Sequence, residues 1–217
     1  MSTYYEKFNQ DGFIVIKNFV NSKNFDSICA SLTSEIETKC NKIDLSKVGG
    51  SIMGNLNVYP GKYSQVILEE LKNHGLNNIL QEIIKKNSND FTIRVGGNLS
   101  LPNKHNQLFH TDGNFNQEML MISVATCEIN KENGPTELVV GSHKNEIPYW
   151  KFLFKKKNKK KLLLSKGDLV IRKHCVWHRG TINKSKDKRF LIVYLYFDKK
   201  KDIKNNIEES NDIKIYN

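Results

Sequence analysis

A chain of 217 residues, 38% apolar and 26% charged, carries enough apolar material to bury a core without disulfides or a structural metal, which excludes wholesale disorder and leaves no length for a second full domain. Its formal charge is +11, from 34 basic and 23 acidic residues, but six of the positive charges fall in the run Lys155 to Lys161 (KKKNKKK), so the rest of the chain is only mildly basic.

The opening residues, MSTYYEKFNQDG, lack the basic start and apolar middle of a secretion signal, and no apolar run approaches membrane-spanning length. The expected location is the cytoplasm. The opening segment reads as a short helix or turn, and after Gly12 the apolar run Phe13 to Ile16 reads as a strand. Phe25, Ile28, Cys29, Leu32 and Ile36 then form one stripe at helical spacing, with Asn21 or Ser22 as its cap. Residues 46–63 are rich in Gly and Asn and read as a long ordered loop, the candidate wall of a substrate site. Helical stretches at 64–73 and 76–86 complete an N-terminal, helix-rich part of about ninety residues.

From residue 91 the pattern changes to strands: FTIRVGGNL, QLFH, EMLMISVATCEI, TELVV, KLLLS, DLVI and RFLIVYLYF, punctuated by turn-forming residues. Helices followed by about seven strands predict a mainly β fold with flanking α-helices, a β-sandwich or jelly roll over 91–198. The Lys155 to Lys161 run reads as a solvated loop, with an anionic partner as the alternative; it has no interleaved aromatics and no nucleic-acid-binding motif accompanies it. The four cysteines (Cys29, Cys40, Cys127, Cys175) form no CxxC pair and read as free thiols. The tail, 199–217, is polar except for a possible last strand at IKIY.

Three residues carry the chemistry. His110 and Asp112 stand at i and i+2, which in an extended segment project on one face, close enough to share an ion. His178 follows downstream in GDLVIRKHCVWHRG. Two imidazoles and one carboxylate on one side of an ion leave open positions, the arrangement of Fe(II) oxygenases, whereas structural zinc prefers a closed tetrahedron. Arg189, eleven residues after His178, begins an apolar strand and shares a face with Leu191, Val193 and Leu195. Among such neighbours a guanidinium needs an anion, and its fork suits a carboxylate; the alternative is a strand-end Arg turned to solvent. His174 forms an HxxxH pair with His178 that would bind zinc on a helix, but the surrounding strand pattern favours His178 alone. His143 reads as a loop brace, His74 and His105 as surface residues, and Trp177 as core packing.

Four segments, in order, resemble the phytanoyl-CoA dioxygenase family of Fe(II)/2-oxoglutarate enzymes: YYEKFNQDGFIVIKNFVNSKNFDSI, FHTDGNF, NGPTELVVGSHK, and WHRGTINKS with Arg189. The resemblance implies a double-stranded β-helix (jelly roll, cupin-like) core, His110, Asp112 and His178 as iron ligands, and Arg189 as partner of the distal carboxylate of 2-oxoglutarate. It adds Asn98 as a polar contact to that cosubstrate. Gly180 departs from the pattern, which has a small hydroxyl residue two places after the distal His, and Thr181 is the candidate to compensate. The implied reaction couples O2 and 2-oxoglutarate to hydroxylation of a small molecule, with an anionic substrate suggested by the Lys run, and releases succinate and CO2. Related halogenases lack the carboxylate that Asp112 supplies, which favours hydroxylation over chlorination. Desaturation, cyclisation or epimerisation would use the same iron site. A non-redox jelly roll that binds metal or sugar, and a basic nucleic-acid or membrane-surface module, are the readings from other classes.

Overall fold

The computed structural model describes residues 3–48, 54–199 and 210–216. In chain order the elements are α1 (Tyr4–Asp11), β1 (Phe13–Ile16), α2 (Lys23–Cys40), β2 (Asn55–Pro60), α3 (Tyr63–Asn73), α4 (Leu76–Ile84), β3 (Phe91–Ser100), β4 (Met119–Ala125), β5 (Thr136–Val139), α5 (Tyr149–Phe154), β6 (Lys159–Lys161), β7 (Leu169–Lys173), β8 (His178–Gly180), β9 (Arg189–Asp198) and β10 (Ile213–Tyr216). Seven strands form one antiparallel sheet in the order β1-β7-β4-β9-β3-β2-β10, and three form a second in the order β6-β5-β8. This is the expected double-stranded β-helix, a jelly roll with helices outside it.

Strand alternation sorts the large sheet into two faces. Along β9, Phe190, Ile192, Tyr194 and Tyr196 join the apolar residues of α2, α3 and α4 in one cluster, while Leu191, Val193 and Leu195 face the other way into the sandwich. β7 repeats the pattern, with Leu169 and Ile171 toward the helices and Val170 and Arg172 inward. The inward face is therefore where a site can form. Between the sheets a second cluster, including Phe13, Ala125, Leu138, Leu164, Val176 and Leu191, closes one end of the sandwich.

The helices form as local chemistry dictates. Thr3 and Glu6 make a capping box at the start of α1, and Gly12 ends it in the left-handed conformation at φ +86°. Gly12 is also required by contact, because a Cβ there would lie 2.3 Å from His143 Nδ1. Ser22, rather than Asn21, caps α2 by accepting from Phe25 N–H, and Phe25, Cys29, Leu32 and Ile36 are buried as their spacing requires.

Four segments differ from expectation, KLLLS among them, since β6 ends at Lys161 and of the next four residues only Leu164 makes an isolated bridge, to Ile129. Within 46–63, residues 55–60 are not loop but β2, paired with β3 and β10; residues 49–53 lie outside the described part. QLFH makes only an isolated bridge at His110, because side chains take bonds that a ladder would make: Gly180 N–H donates to Gln107 Oε1 and Ile182 N–H to Asn106 Oδ1. The Lys run is half strand. Lys159–Lys161 form β6, an edge strand with every side chain exposed, where lysines protect the open edge from pairing with another chain. The IKIY segment is β10, while residues 200–209 lie outside the described part. No helix among the described residues is long and apolar enough to cross a membrane. All four cysteines are free thiols.

Candidate metal and cosubstrate site

The segment between β3 and β4 has little regular structure, yet it is tied along its length to the chain after His178. Asn103 N–H donates to Asn183 O and Gln107 N–H to Gly180 O, each at 2.9 Å. His110 and His178 exchange backbone hydrogen bonds, both 2.9 Å, and their rings lie side by side, tilted 55° to each other, with centroids 4.3 Å apart. Asp112 N–H then donates to His174 O at 3.1 Å. His174 itself is occupied: its ring nitrogens lie 3.0 Å from Met119 O and 2.8 Å from Asn114 O, so it braces the Asp112 loop and is not a partner of the HxxxH pair.

Each ligand candidate is oriented by its neighbours. His110 Nδ1 lies 2.9 Å from Leu108 O and His178 Nδ1 lies 3.0 Å from Val176 O, which puts the proton on Nδ1 of each ring and the lone pair on Nε2, that of His178 facing Arg172 Nη2 at 3.2 Å. One ligand atom from each of His110, Asp112 and His178 lies within 4.8 Å of the other two. The donor set is the two imidazoles and one carboxylate that suit non-haem Fe(II) with open positions. Burial pushes the His178 imidazole down to about 3, with Arg172 adding to the effect, so its Nε2 is unprotonated at neutral pH. For Asp112 burial acts upward, but the guanidinium of Arg172, His178 and a hydrogen bond from Arg172 outweigh it and hold the carboxyl below its ordinary value.

The triad opens on a cavity of about 430 Å³ between the two sheets. Asn57 and Val58 of β2, a strand within the segment read as a loop, line it. Asn98 also lines it. Arg189 lies one step beyond Leu191 on the inward face, buried behind the lining and 2% exposed. Its Nη2 donates to Gly134 O at 2.6 Å, while Nε and Nη1 have no hydrogen-bond partner among the described residues. Burial lowers this guanidinium to about 10, which leaves it a cation at neutral pH. A buried cation with two unpaired nitrogens is the donor a carboxylate would complete.

Thr181 is a correction. Its hydroxyl donates to Pro135 O at 2.6 Å, and the residue does not line the cavity, because along β8 and its continuation it falls on the opposite side from Gly180. Gly180 does line the cavity, and the reason for glycine is packing: a Cβ would lie 2.8 Å from Gln107 Oε1 and 2.9 Å from Asn55 Oδ1. Side-chain amides thus occupy the place of the family's hydroxyl. His143 is buried, with Nε2 3.1 Å from Asn9 O, and lines a separate pocket. Trp177 stacks on Phe152 of α5 at 4.1 Å between centroids, and His74 and His105 are at the surface.

Arg172 and Gln107 line the cavity without having been singled out from the sequence. For Arg172 the signal existed: it stands two residues after Val170 on the inward face of an apolar strand, the same pattern that marked Arg189.

A jelly roll that brings a His-x-Asp pair and a distal His to one point defines the cupin-like proteins with a metal site between two sheets. Within that class, a family model for phytanoyl-CoA dioxygenase (PhyH) matches residues 8–191, and the chain belongs to this family. No curated protein sequence matches it. Solved structures similar in fold include the epimerase SnoN in complex with Fe3+, alpha ketoglutarate and nogalamycin RO (TM-score 0.65, 14% identity, covering 90% of this chain and 82% of that one). EctD from S. alaskensis with bound Fe is similar at TM-score 0.66 and 15% identity, over 89% of this chain and 75% of its own. AviO1 from Streptomyces viridochromogenes Tue57 is similar at TM-score 0.66 and 14% identity, over 90% and 94%.

Proposed function

We propose that this protein is an Fe(II)/2-oxoglutarate-dependent oxygenase that hydroxylates a small molecule in the cytoplasm, with succinate and CO2 as co-products. The observation that carries the reading is the convergence of His110, Asp112 and His178, with both imidazoles turned by backbone carbonyls to offer Nε2. These three residues would hold the iron. Arg189, with its unpaired Nε and Nη1, would take the distal carboxylate of 2-oxoglutarate, and Asn98 would contact the cosubstrate from β3. The bound iron and 2-oxoglutarate supply the oxidising chemistry; the chain binds, orients and shields from water. Apolar side chains on the inward faces (Met121, Leu162, Leu164, Val170, Leu191, Val193) line the cavity alongside its polar groups.

Family membership, similar structures that hold Fe or Fe3+ with alpha ketoglutarate, and the donor set support this reading together. The same fold carries an epimerase, SnoN, and a carbocyclase, SnoK, so the outcome at the substrate is decided by how the substrate is held, and product analysis distinguishes hydroxylation from these. The test is succinate production from 2-oxoglutarate with Fe(II) and O2, screened against small metabolites. Substrate-stimulated succinate in the wild type and none in Asp112→Ala is the expected result. A wild type that never converts 2-oxoglutarate would make the protein a non-redox jelly-roll binder.

A further inference from the structure

Arg172 stands where the apolar inward face of β7 would otherwise continue from Val170. Its guanidinium is 2.5 Å from Asp112 Oδ2 and 3.2 Å from His178 Nε2, so it touches two of the three metal-ligand candidates. A counter-ion for Asp112 needs only one of its terminal nitrogens. The other, Nη1, is shielded from solvent and has no hydrogen-bond partner among the described residues. A buried N–H of a charged group left unmade is costly, and such costs persist where a ligand completes the bond.

Charge points the same way. Among the described residues that line the cavity, Arg172 is the sole cation outside the histidines and Asp112 the sole anion. A divalent ion held by neutral imidazoles, together with Arg172 and Arg189, sets four positive charges against one carboxylate. Dianionic 2-oxoglutarate would cancel two of the remaining three. One positive charge is left among side chains that are largely buried (Arg172, His178, Arg189), which favours a further anion beside the metal.

We propose that Arg172 is an oxyanion-binding residue of this site, holding a carboxylate or phosphate group next to the metal's open positions through the terminal nitrogen that Asp112 does not use. The inference rests on the iron and 2-oxoglutarate reading above and narrows it to an anionic ligand at the reacting end of the cavity. Planar guanidinium suits either oxyanion, and the oxyanion could belong to the substrate or be the metal-side carboxylate of 2-oxoglutarate itself.

The experiment uses full-length protein with Fe(II) under anaerobic conditions and follows the visible charge-transfer band of the Fe(II)–2-oxoglutarate chelate. Acetate and inorganic phosphate serve as probes, with acetamide as the neutral control. In the wild-type complex acetate or phosphate should perturb the band saturably and acetamide should not; in Arg172→Gln that anion binding should weaken at least tenfold. If the anions act on no complex already holding 2-oxoglutarate but Arg172→Gln weakens 2-oxoglutarate itself at least tenfold, the oxyanion is the cosubstrate's own carboxylate, and the assignment of Arg172 stands with that source. Arg172→Lys keeps a cation for Asp112 but lacks the fork; it should bind the oxyanion at least threefold more weakly than wild type, and it decides the matter should Arg172→Gln not fold. Unchanged affinities for acetate, phosphate and 2-oxoglutarate in the variants would overturn the proposal and leave Arg172 a structural counter-ion. A wild type that forms no chelate band at all would instead overturn the reading of the site as iron and 2-oxoglutarate binding.

Discussion

Asp112 and Arg172 form an ion pair at 2.5 Å across the inner space of the sandwich, with side-chain exposures of 29% and 9%. The pair binds the loop that follows His110 to the strand β7 of the large sheet, so Asp112 has two tasks, as a ligand candidate and as the counter-charge of a buried guanidinium. Asp112→Ala should therefore lose more than turnover. Activity should fall by at least about a thousandfold, and the protein should lose about 3 kcal/mol of stability, the low end for breaking a buried pair, since the cavity lets water reach the guanidinium left behind. Adding Arg172→Met should restore part of that stability and none of the activity. Urea unfolding and a succinate assay on the single and double variants measure both; an Asp112→Ala protein as stable as wild type would show that the pair contributes nothing in solution.

Arg189 leads to a prediction of opposite sign for stability. With Nε and Nη1 unpaired in a site 2% exposed, the guanidinium costs folding energy until a carboxylate arrives. Arg189→Met should leave the ligand-free protein as stable as wild type or more so, while raising the 2-oxoglutarate concentration needed for half-maximal turnover by about a hundredfold, the loss of a bidentate charged contact. It should also abolish the rise in melting temperature that 2-oxoglutarate gives the wild type. A variant that melts higher with 2-oxoglutarate by the same margin as wild type would move the cosubstrate clamp elsewhere.

Much of this site was legible in the sequence because strand periodicity is strict. The alternation Arg189, Leu191, Val193, Leu195 and the stripe Phe25, Cys29, Leu32, Ile36 identify faces without any knowledge of partners, and HTD places two donors on one side of an extended segment. Strand β2 was hidden for a physical reason: NLNVYP is short, flanked by glycines, and gains its strand character from pairing with β3 some forty residues later. QLFH failed the other way, since Asn106 and Gln107 have amide side chains that compete for backbone donors. Thr181 was misplaced because its distance from His178 was known but the direction of its side chain was not, and the Pro135 carbonyl holds its hydroxyl. Arg172 was passed over because the strand was read as DLVI, which ends one residue before it, although alternation from Val170 already set it inward.

Gly180 tests whether packing explains the missing hydroxyl. In Gly180→Ser the new Cβ would meet Gln107 Oε1 at 2.8 Å, forcing that amide off the Gly180 N–H it now accepts from at 2.7 Å. The lost hydrogen bond should cost about 1 kcal/mol. In a Gln107→Ala background, where Asn55 Oδ1 at 2.9 Å is the remaining close contact, the same serine should cost less than in the wild type, a coupling that a double-mutant cycle reads directly. Additive effects of the two changes would show that Gln107 is not what excludes a side chain at position 180.

Acid should destabilise the metal-free protein in a defined window, and His143 offers a way to see part of it. Its Nε2 lies 3.1 Å from Asn9 O while Nδ1 is buried without a partner, so protonation would place an unpaired charged N–H inside the protein. Burial, and after it Lys173, lowers its pKa below the ordinary 6.5. Below about pH 6.5 the unfolded chain then takes up a proton that the folded chain refuses, and stability falls as pH falls, by up to about 1.4 kcal/mol per pH unit for each such group. His178, pushed down to about 3 chiefly by burial, acts in the same direction from about 6.5 down to about 3. Unfolding free energy from urea titrations should thus be flat from about pH 7 to 8 and decline below about pH 7. His143→Gln, which retains a donor for Asn9 O but no titrating group, should show a shallower decline just below pH 6.5, leaving the share due to His178; equal slopes for variant and wild type would mean that His143 takes up its proton as readily when folded as when unfolded.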